Sequence, residues 1–96
     1  MQKTILVTGA SSGIGKETAK LFQKKGWNVI ATMRSPEKEQ ELTSLENMFV
    51  VRLDVEDPDS IQHAVKTGAE KFGTIDVLVN NAGYGLMGFF EATQRE

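Results

Sequence analysis

The sequence contains no cysteine and a single histidine, His63. Without thiols, the chain has no disulfide framework and no thiolate metal site, which is compatible with a reducing compartment. A lone imidazole, with no second histidine or cysteine to join it, argues against a zinc-type site. We therefore predict no metal centre and place His63 on the surface.

Excess charge and long apolar runs are also missing. The 96 residues carry a formal net charge of −2, which gives no reason to expect nucleic acid or a membrane surface as a partner. No apolar stretch approaches the ~18 residues that span a bilayer. The first apolar run begins too close to Met1 to leave room for a signal peptide. These observations favour a cytoplasmic protein of one small domain.

Short apolar runs alternate regularly with helical patterns. Four apolar runs predict strands: residues 4–8, 28–32, 48–53 and 75–79. Three helical patterns lie between them: residues 13–25, a segment capped by Ser35 with Pro36 and Glu37 in its first turn, and a segment from Asp57-Pro58-Asp59 to Gly73. This alternation is typical of β-α-β units, and therefore of a parallel sheet.

The helical patterns also predict which residues face the sheet. In the first helix these are Ile14, Ala19, Leu21 and Phe22, and in the third helix they are Ile61, Ala64, Val65, Gly68 and Phe72. Right-handed crossovers then predict the strand order 3-2-1-4, with the first two helices on one face and the third helix on the other. This is a doubly wound, Rossmann-like α/β fold. Its ligand crevice lies where the strand order reverses, at the carboxyl ends of the strands.

The first strand leads directly into the glycine-rich octet Thr8-Gly9-Ala10-Ser11-Ser12-Gly13-Ile14-Gly15. The first turn of a helix has unpaired N–H groups and the positive end of the macrodipole, so this arrangement favours a dinucleotide pyrophosphate. We expect Gly9 to turn the chain sharply, Gly13 to leave room for phosphate, and Gly15 to let the helix approach the sheet. Ser11 and Ser12 add hydroxyl donors or serve as caps. An ordinary strand-to-helix turn is the alternative interpretation.

Three motifs, each at the end of a predicted strand, resemble the short-chain dehydrogenase/reductase family. The octet is similar to the family fingerprint Thr-Gly-x-x-x-Gly-Ile-Gly, and the other two motifs are Asp54-Val55 and Asn80-Asn81-Ala82-Gly83. The resemblance implies that Asp54 reaches the adenine ring and that Val55 packs near it. It also implies that Asn81, Ala82 and Gly83 line the cofactor ribose, while Asn80 ties neighbouring strands together. An aspartate that simply ends a strand is the alternative for Asp54.

Arg34 follows the second strand, about twenty residues beyond the glycine turn, where a carboxylate would favour NAD. Thr32-Met33-Arg34 contains no carboxylate, and an arginine suits a 2′-phosphate. This pattern resembles NADP-preferring members of the family. We predict NADP as the cofactor, with NAD as the alternative and a solvated arginine as the structural alternative.

The catalytic pattern of the family, a serine followed by Tyr-x-x-x-Lys, is missing. The only tyrosine is Tyr84, and Gly88 stands four residues later, within an apolar segment that we expect to form a loop. We therefore interpret residues 1–96 as an NAD(P)-binding domain truncated before its catalytic half, with no catalytic residue of its own. In a complete protein of this family, hydride would pass between NADP(H) and a carbonyl or alcohol substrate.

Two further expectations concern the function of the isolated chain and its association. The alternative function is a stand-alone dinucleotide-binding or interaction module without catalysis. The fourth strand is apolar and would form an exposed sheet edge, so we expect the chain to be a homo-oligomer or to self-associate through that strand.

Overall fold

The computed structural model describes residues 2–81 and the backbone of residues 88–91. In chain order, the elements are β1 (Thr4–Val7), α1 (Gly13–Lys24), β2 (Asn28–Met33), two 3-10 turns (Pro36–Lys38 and Leu42–Ser44), β3 (Met48–Arg52), α2 (Pro58–Phe72), β4 (Val77–Asn80) and β5 (Gly88–Glu91).

The strands form one sheet in the order β3-β2-β1-β4-β5. The first four strands are parallel, with Leu6 of β1 opposite Ile30 of β2 and Leu78 of β4. All four residues of β1 are buried, as expected for a strand that is covered on both faces. The predicted doubly wound fold and the strand order 3-2-1-4 are confirmed.

Helices cover both faces of the sheet, as predicted. Ile5 and Val7 point to the face that packs against Ala19 of α1 and Leu42 of the second 3-10 turn. Leu6 points to the opposite face, where the core continues to Ala64 of α2. Alternate residues of β1 therefore supply the two halves of the core.

The predicted second helix is wrong, because only the two 3-10 turns lie between β2 and β3. Ser35 makes no side-chain capping bond, and Glu39 is already extended, with φ −85° and ψ 130°. The Glu39 carboxylate instead accepts a hydrogen bond from the Leu42 N–H at 2.8 Å. This bond lies at the start of the second 3-10 turn, whose first residue, Leu42, is buried in the core.

The sheet-facing side of α1 is narrower than predicted. Ala19 is buried, and Phe22 packs edge-to-face against Trp27 with ring centroids 4.9 Å apart. Ile14 and Leu21, however, are 61% and 50% exposed, so their predicted inward placement is wrong. Each lies one residue, about 100° around the helix, from a position that faces the sheet. Because Gly15 and Ala19 are small, the helix axis lies close to the sheet and leaves little width for flanking residues.

Helix α2 follows its predicted pattern. The Asp57 side chain caps the helix by accepting a hydrogen bond from the Asp59 N–H at 3.2 Å. Ala64 and Gly68 are buried, and a methyl group at Gly68 would overlap the Ile30 side chain. His63 lies exposed on the outer side, as predicted.

The outer edge of β4 is occupied, which corrects two expectations. β5 pairs antiparallel with β4, with Val77 opposite Glu91 and Asn80 opposite Gly88. Residues 88–91 therefore form a strand where we expected a loop, and β4 is not the exposed edge through which we expected self-association. Within the part of the chain that the structure describes, the two edges of the sheet are β3 and β5. No helix in that part is long and apolar enough to cross a membrane.

Candidate functional site

The turn between β1 and α1 is held between two neighbouring strands. The Thr8 N–H donates to the Val79 carbonyl of β4, and the Ala10 N–H donates to the Thr32 carbonyl of β2, both at 3.0 Å. Gly9 and Gly13 adopt positive φ angles of 64° and 61°, a region that other residues reach only at a cost. The predicted sharp turn at Gly9 is confirmed.

The N-terminus of α1 has the features of an anion site. Ser12 precedes the helix and makes no capping bond with its hydroxyl among the described residues, and the first turn contains no acidic residue. A Cβ built at Gly13 would meet nothing within 4 Å. The free N–H groups and the positive end of the helix therefore face open space, where they can receive a phosphate.

Gly15 is needed for a close approach rather than for an unusual backbone angle. A Cβ at this position would overlap the carbonyl oxygen of Gly9 and lie 2.7 Å from Nδ2 of Asn81. Asn81 in turn donates from Nδ2 to the Gly9 carbonyl at 3.3 Å. The absence of a side chain at Gly15 thus lets the end of β4 contact the glycine turn.

Thr8 joins the same two regions through its hydroxyl, although it was not among the predicted site residues. Its Oγ1 donates to Oδ1 of Asn80 at 3.1 Å and accepts from the Asn81 N–H at 2.8 Å. Asn80 therefore ties neighbouring strands together, as predicted. The only sequence signal for Thr8 was its place at the start of the octet.

The glycine turn forms one wall of a cleft of about 760 Å³, a volume typical of small-molecule sites. The predicted site residues that line it are Gly9, Ser11, Ser12, Gly13, Ile14, Arg34, Asp54, Val55 and Asn81. Gly15 lies behind this surface, and Ala82, Gly83 and Tyr84 lie outside the described residues. The cleft is also lined by five residues that the sequence motifs did not predict: Met33, Ser35, Lys38, Leu53 and Glu56.

Arg34 and Lys38 bring positive charge to the end of the cleft formed by β2 and the first 3-10 turn. Both side chains are exposed, and within residues 2–81 neither forms an ion pair. Arg52, in contrast, lies 3.2 Å from Asp57 and 3.8 Å from Asp54, and its hydrogen bond lowers the pKa of the Asp57 carboxyl. Arg34 and Lys38 therefore remain available to an anion in the cleft.

Asp54 lines the cleft and also stabilises the turn that follows β3. Its Oδ1 accepts a hydrogen bond from the Glu56 N–H at 3.0 Å, and its backbone N–H donates to Ser60 Oγ at 2.9 Å. These bonds make Asp54 the start of the turn that follows β3. Val55, which comes next, is 37% exposed and presents an apolar surface to the cleft. The residues present therefore fit a dinucleotide, with donors and cations for phosphate and an apolar surface for a base.

The sequence model of short chain dehydrogenases matches residues 3–96. An uncharacterized oxidoreductase of Schizosaccharomyces pombe is 40% identical over 91 residues, which are 93% of this chain and 30% of that protein. Serine 3-dehydrogenase of Agrobacterium fabrum is 43% identical over 88 residues, which are 90% of this chain and 35% of that protein. This chain spans about a third of the length of these relatives.

Solved structures give the same assignment. A short-chain dehydrogenase from Streptomyces avermitilis superimposes with a TM-score of 0.78 at 38% identity, over 86% of this chain and 31% of that one. A 3-ketoacyl-(acyl-carrier-protein) reductase from Brucella melitensis, complexed with NADH, superimposes with a TM-score of 0.73 at 31% identity, over 79% of this chain and 32% of that one. With its glycine turn, its sheet order and its cleft, this chain belongs to the short-chain dehydrogenase family.

Proposed function

We propose that this chain binds NADP(H) and forms the cofactor-binding part of an oxidoreductase that acts on a carbonyl or alcohol substrate. When bound, the dinucleotide supplies the hydride donor or acceptor at its nicotinamide ring. The observation that carries the proposal is the convergence, in one cleft, of the N-terminus of α1 with the cations Arg34 and Lys38. Within residues 2–81, the helix has no side-chain cap and neither cation forms an ion pair. The cytoplasmic location stays a prediction from the sequence.

The pyrophosphate is assigned to the N-terminus of α1. Ser11, Ser12 and Gly13 line the cleft there, and their backbone and hydroxyl groups can donate hydrogen bonds to phosphate oxygens. Because Gly13 has no side chain, the phosphate can approach the backbone closely. This part of the site is common to NAD and NADP, so it supports dinucleotide binding without choosing between them.

The choice of NADP rests on Arg34 and its surroundings. Guanidinium groups bind phosphate through paired hydrogen bonds, and Ser35 and Lys38 line the cleft beside Arg34. The carboxylates that line the cleft, Asp54 and Glu56, follow β3 rather than β2. The NADH bound by the Brucella reductase keeps NAD as the alternative.

The adenine is assigned to the wall that follows β3. Val55 offers an exposed apolar surface on which a ring can pack. Oδ1 of Asp54 accepts from the Glu56 N–H, and Oδ2 lies 3.8 Å from Nη2 of Arg52. That distance is too long for a hydrogen bond, so Oδ2 can still accept one from the adenine amino group. Asp54 can serve both as a turn former and as an adenine contact, so the two interpretations of this residue are compatible.

Titration calorimetry with NADP⁺ and NAD⁺ tests the proposal. We expect the parent chain to bind NADP⁺ more tightly, and Arg34→Asp to weaken NADP⁺ binding by about 10- to 100-fold, as for the loss of a charge-assisted hydrogen bond. Lys66→Asp makes the same change of charge on the exposed side of α2, away from the cleft, and should leave the affinities unchanged. Equal affinities of the parent chain for both dinucleotides would contradict the choice of NADP.

A further inference from the structure

The wall of the cleft that carries Arg34 and Lys38 belongs to a segment with little regular structure. Lys38 ends the 3-10 turn Pro36–Lys38, and the chain is extended immediately afterwards. A turn of three residues contains too few hydrogen bonds to be rigid by itself. Contacts outside the turn must therefore fix the position of Lys38 relative to the rest of the cleft.

Glu39, the next residue, makes such contacts. Its side chain is only 4% exposed, and Oε2 lies 3.4 Å from Nζ of Lys16 on α1. The same oxygen accepts the hydrogen bond from the Leu42 N–H, and Leu42 is fully buried in the core. A carboxylate so little exposed needs its charged and hydrogen-bonded partners. Glu39 therefore connects the turn that carries Lys38 both to the core and to α1.

Lys16 extends this connection to an ion cluster formed by Lys16, Lys20, Glu39 and Glu41. Lys16 Nζ lies 3.2 Å from Oε1 of Glu41, and Lys20 Nζ donates to Oε2 of Glu41 at 2.6 Å. The hydrogen bond with Glu41 raises the pKa of Lys16, and Glu39 adds to this effect. The hydrogen bond with Lys20, followed by that with Lys16, lowers the pKa of Glu41. These four residues join the segment after β2 to the helix whose N-terminus faces the cleft.

We propose that Glu39 is a positioning residue for the discrimination between NADP(H) and NAD(H). Its pair with Lys16 fixes the turn that carries Lys38, beside Arg34, relative to the N-terminus of α1. The pyrophosphate on α1 and the 2′-phosphate near Arg34 are then held at a set separation. NAD has no 2′-phosphate, so its affinity does not depend on Glu39. This inference rests on the proposed binding of NADP(H).

Whether removal of Glu39 weakens or strengthens NADP⁺ binding distinguishes a positioning role from a purely electrostatic one. Glu39 carries a negative charge near the proposed position of a negatively charged phosphate. If Glu39 acted only through this charge, its removal would strengthen NADP⁺ binding. If Glu39 positions the turn, its removal weakens NADP⁺ binding although the repulsion is gone.

The test compares Glu39→Gln with Glu37→Gln by calorimetry. Both variants remove one negative charge from the same short segment, and Glu37 is exposed and makes no hydrogen bond or ion pair within residues 2–81. We expect Glu39→Gln to weaken NADP⁺ binding about fivefold, in the range found for residues coupled through one network, and to leave NAD⁺ binding unchanged. Glu37→Gln should bind NADP⁺ as tightly as the parent chain, or more tightly.

NMR relaxation of the backbone amides of residues 35–44, without cofactor, gives a second readout. We expect larger motion in Glu39→Gln than in the parent chain and no change in Glu37→Gln. Unchanged motion, or unchanged or tighter NADP⁺ binding by a folded Glu39→Gln, would overturn the role of Glu39. Failure of the proposed function would be visible separately, as a parent chain that does not prefer NADP⁺.

Discussion

Gly13 and Gly15 stand two residues apart in the same turn, yet a methyl group at each would meet different surroundings. At Gly15 it would overlap the Gly9 carbonyl oxygen, which is backbone and cannot move without breaking the turn. At Gly13 it would meet open space, and only the φ angle of 61° opposes it. The two substitutions therefore separate packing from backbone conformation.

We expect Gly15→Ala to lower the free energy of unfolding by about 3 kcal/mol, because overpacking against backbone has no inexpensive relaxation. Gly13→Ala should cost only about 1 kcal/mol for the left-handed conformation, while weakening dinucleotide binding. Urea unfolding, followed by the fluorescence of Trp27, measures both values. A smaller loss of stability for Gly15→Ala than for Gly13→Ala would contradict the close approach between α1 and the glycine turn.

Most of the predicted site residues that line the cleft lie in short motifs, and this has a physical reason. Gly9, Ser12 and Gly13 belong to one local turn, and the glycines of the octet suit it because they readily adopt positive φ angles. Lys38, by contrast, reaches the cleft only because the chain forms a 3-10 turn and then extends at Glu39. That path depends on Lys16, which lies more than twenty residues earlier in the chain. Local patterns do not contain this information.

The helical elements also show the difference between structure that local sequence determines and structure that contacts between distant residues determine. For α2, the buried stripe lies within the element and the capping aspartate and final glycine lie directly beside it, and the predicted helix is confirmed. The segment after β2 also has helix-start residues at Ser35 and Pro36. There the burial of Leu42 and the ion pair of Glu39 compete with helix formation and prevail. Tertiary contacts thus override a weak local preference.

The narrow contact face of α1 leads to a prediction about two adjacent residues. Phe22 packs against Trp27 and the core, whereas Leu21 is half exposed. Phe22→Ala should therefore cost about 3 kcal/mol of unfolding free energy, and Leu21→Ala should cost less than about 0.5 kcal/mol. Far-UV circular dichroism during urea unfolding is the suitable measurement, since Phe22→Ala changes the surroundings of the tryptophan. Similar losses for the two variants would favour the wider face that the sequence pattern predicts.

For the whole molecule, we expect binding of the cofactor without catalysis of hydride transfer. Carbonyl reduction requires a proton donor at the developing alkoxide, commonly worth 10²–10⁴ in rate, and groups that polarise the carbonyl oxygen. The sequence of this chain contains no Tyr-x-x-x-Lys. We therefore expect the 96-residue chain alone to bind NADP(H) without reducing a panel of ketones and aldehydes. Loss of NADPH absorbance, compared with a reaction lacking protein, is the measurement.

Two outcomes would change this view of the molecule. Turnover that disappears in Tyr84→Phe would mean that this chain holds a catalytic centre of its own. A dinucleotide-binding or interaction module is the alternative function, and a reading frame that ends at Glu96 would favour it. A frame that continues into Tyr-x-x-x-Lys would instead support the oxidoreductase.

The hydrogen bonds that complete the glycine turn also determine when during folding the site can form. Asn81 and Gly9, and likewise Thr4 and Asp76, are joined across 72 residues of sequence. Contacts between residues so far apart in sequence form late in folding, because the conformational entropy of the intervening chain must be lost before they form. On the ribosome, the octet is among the first segments synthesised, yet its Gly9 carbonyl has no Asn81 partner until β4 has been made. We therefore expect dinucleotide affinity to be acquired only once β4 has formed, although the motif that indicates it stands near the start of the chain.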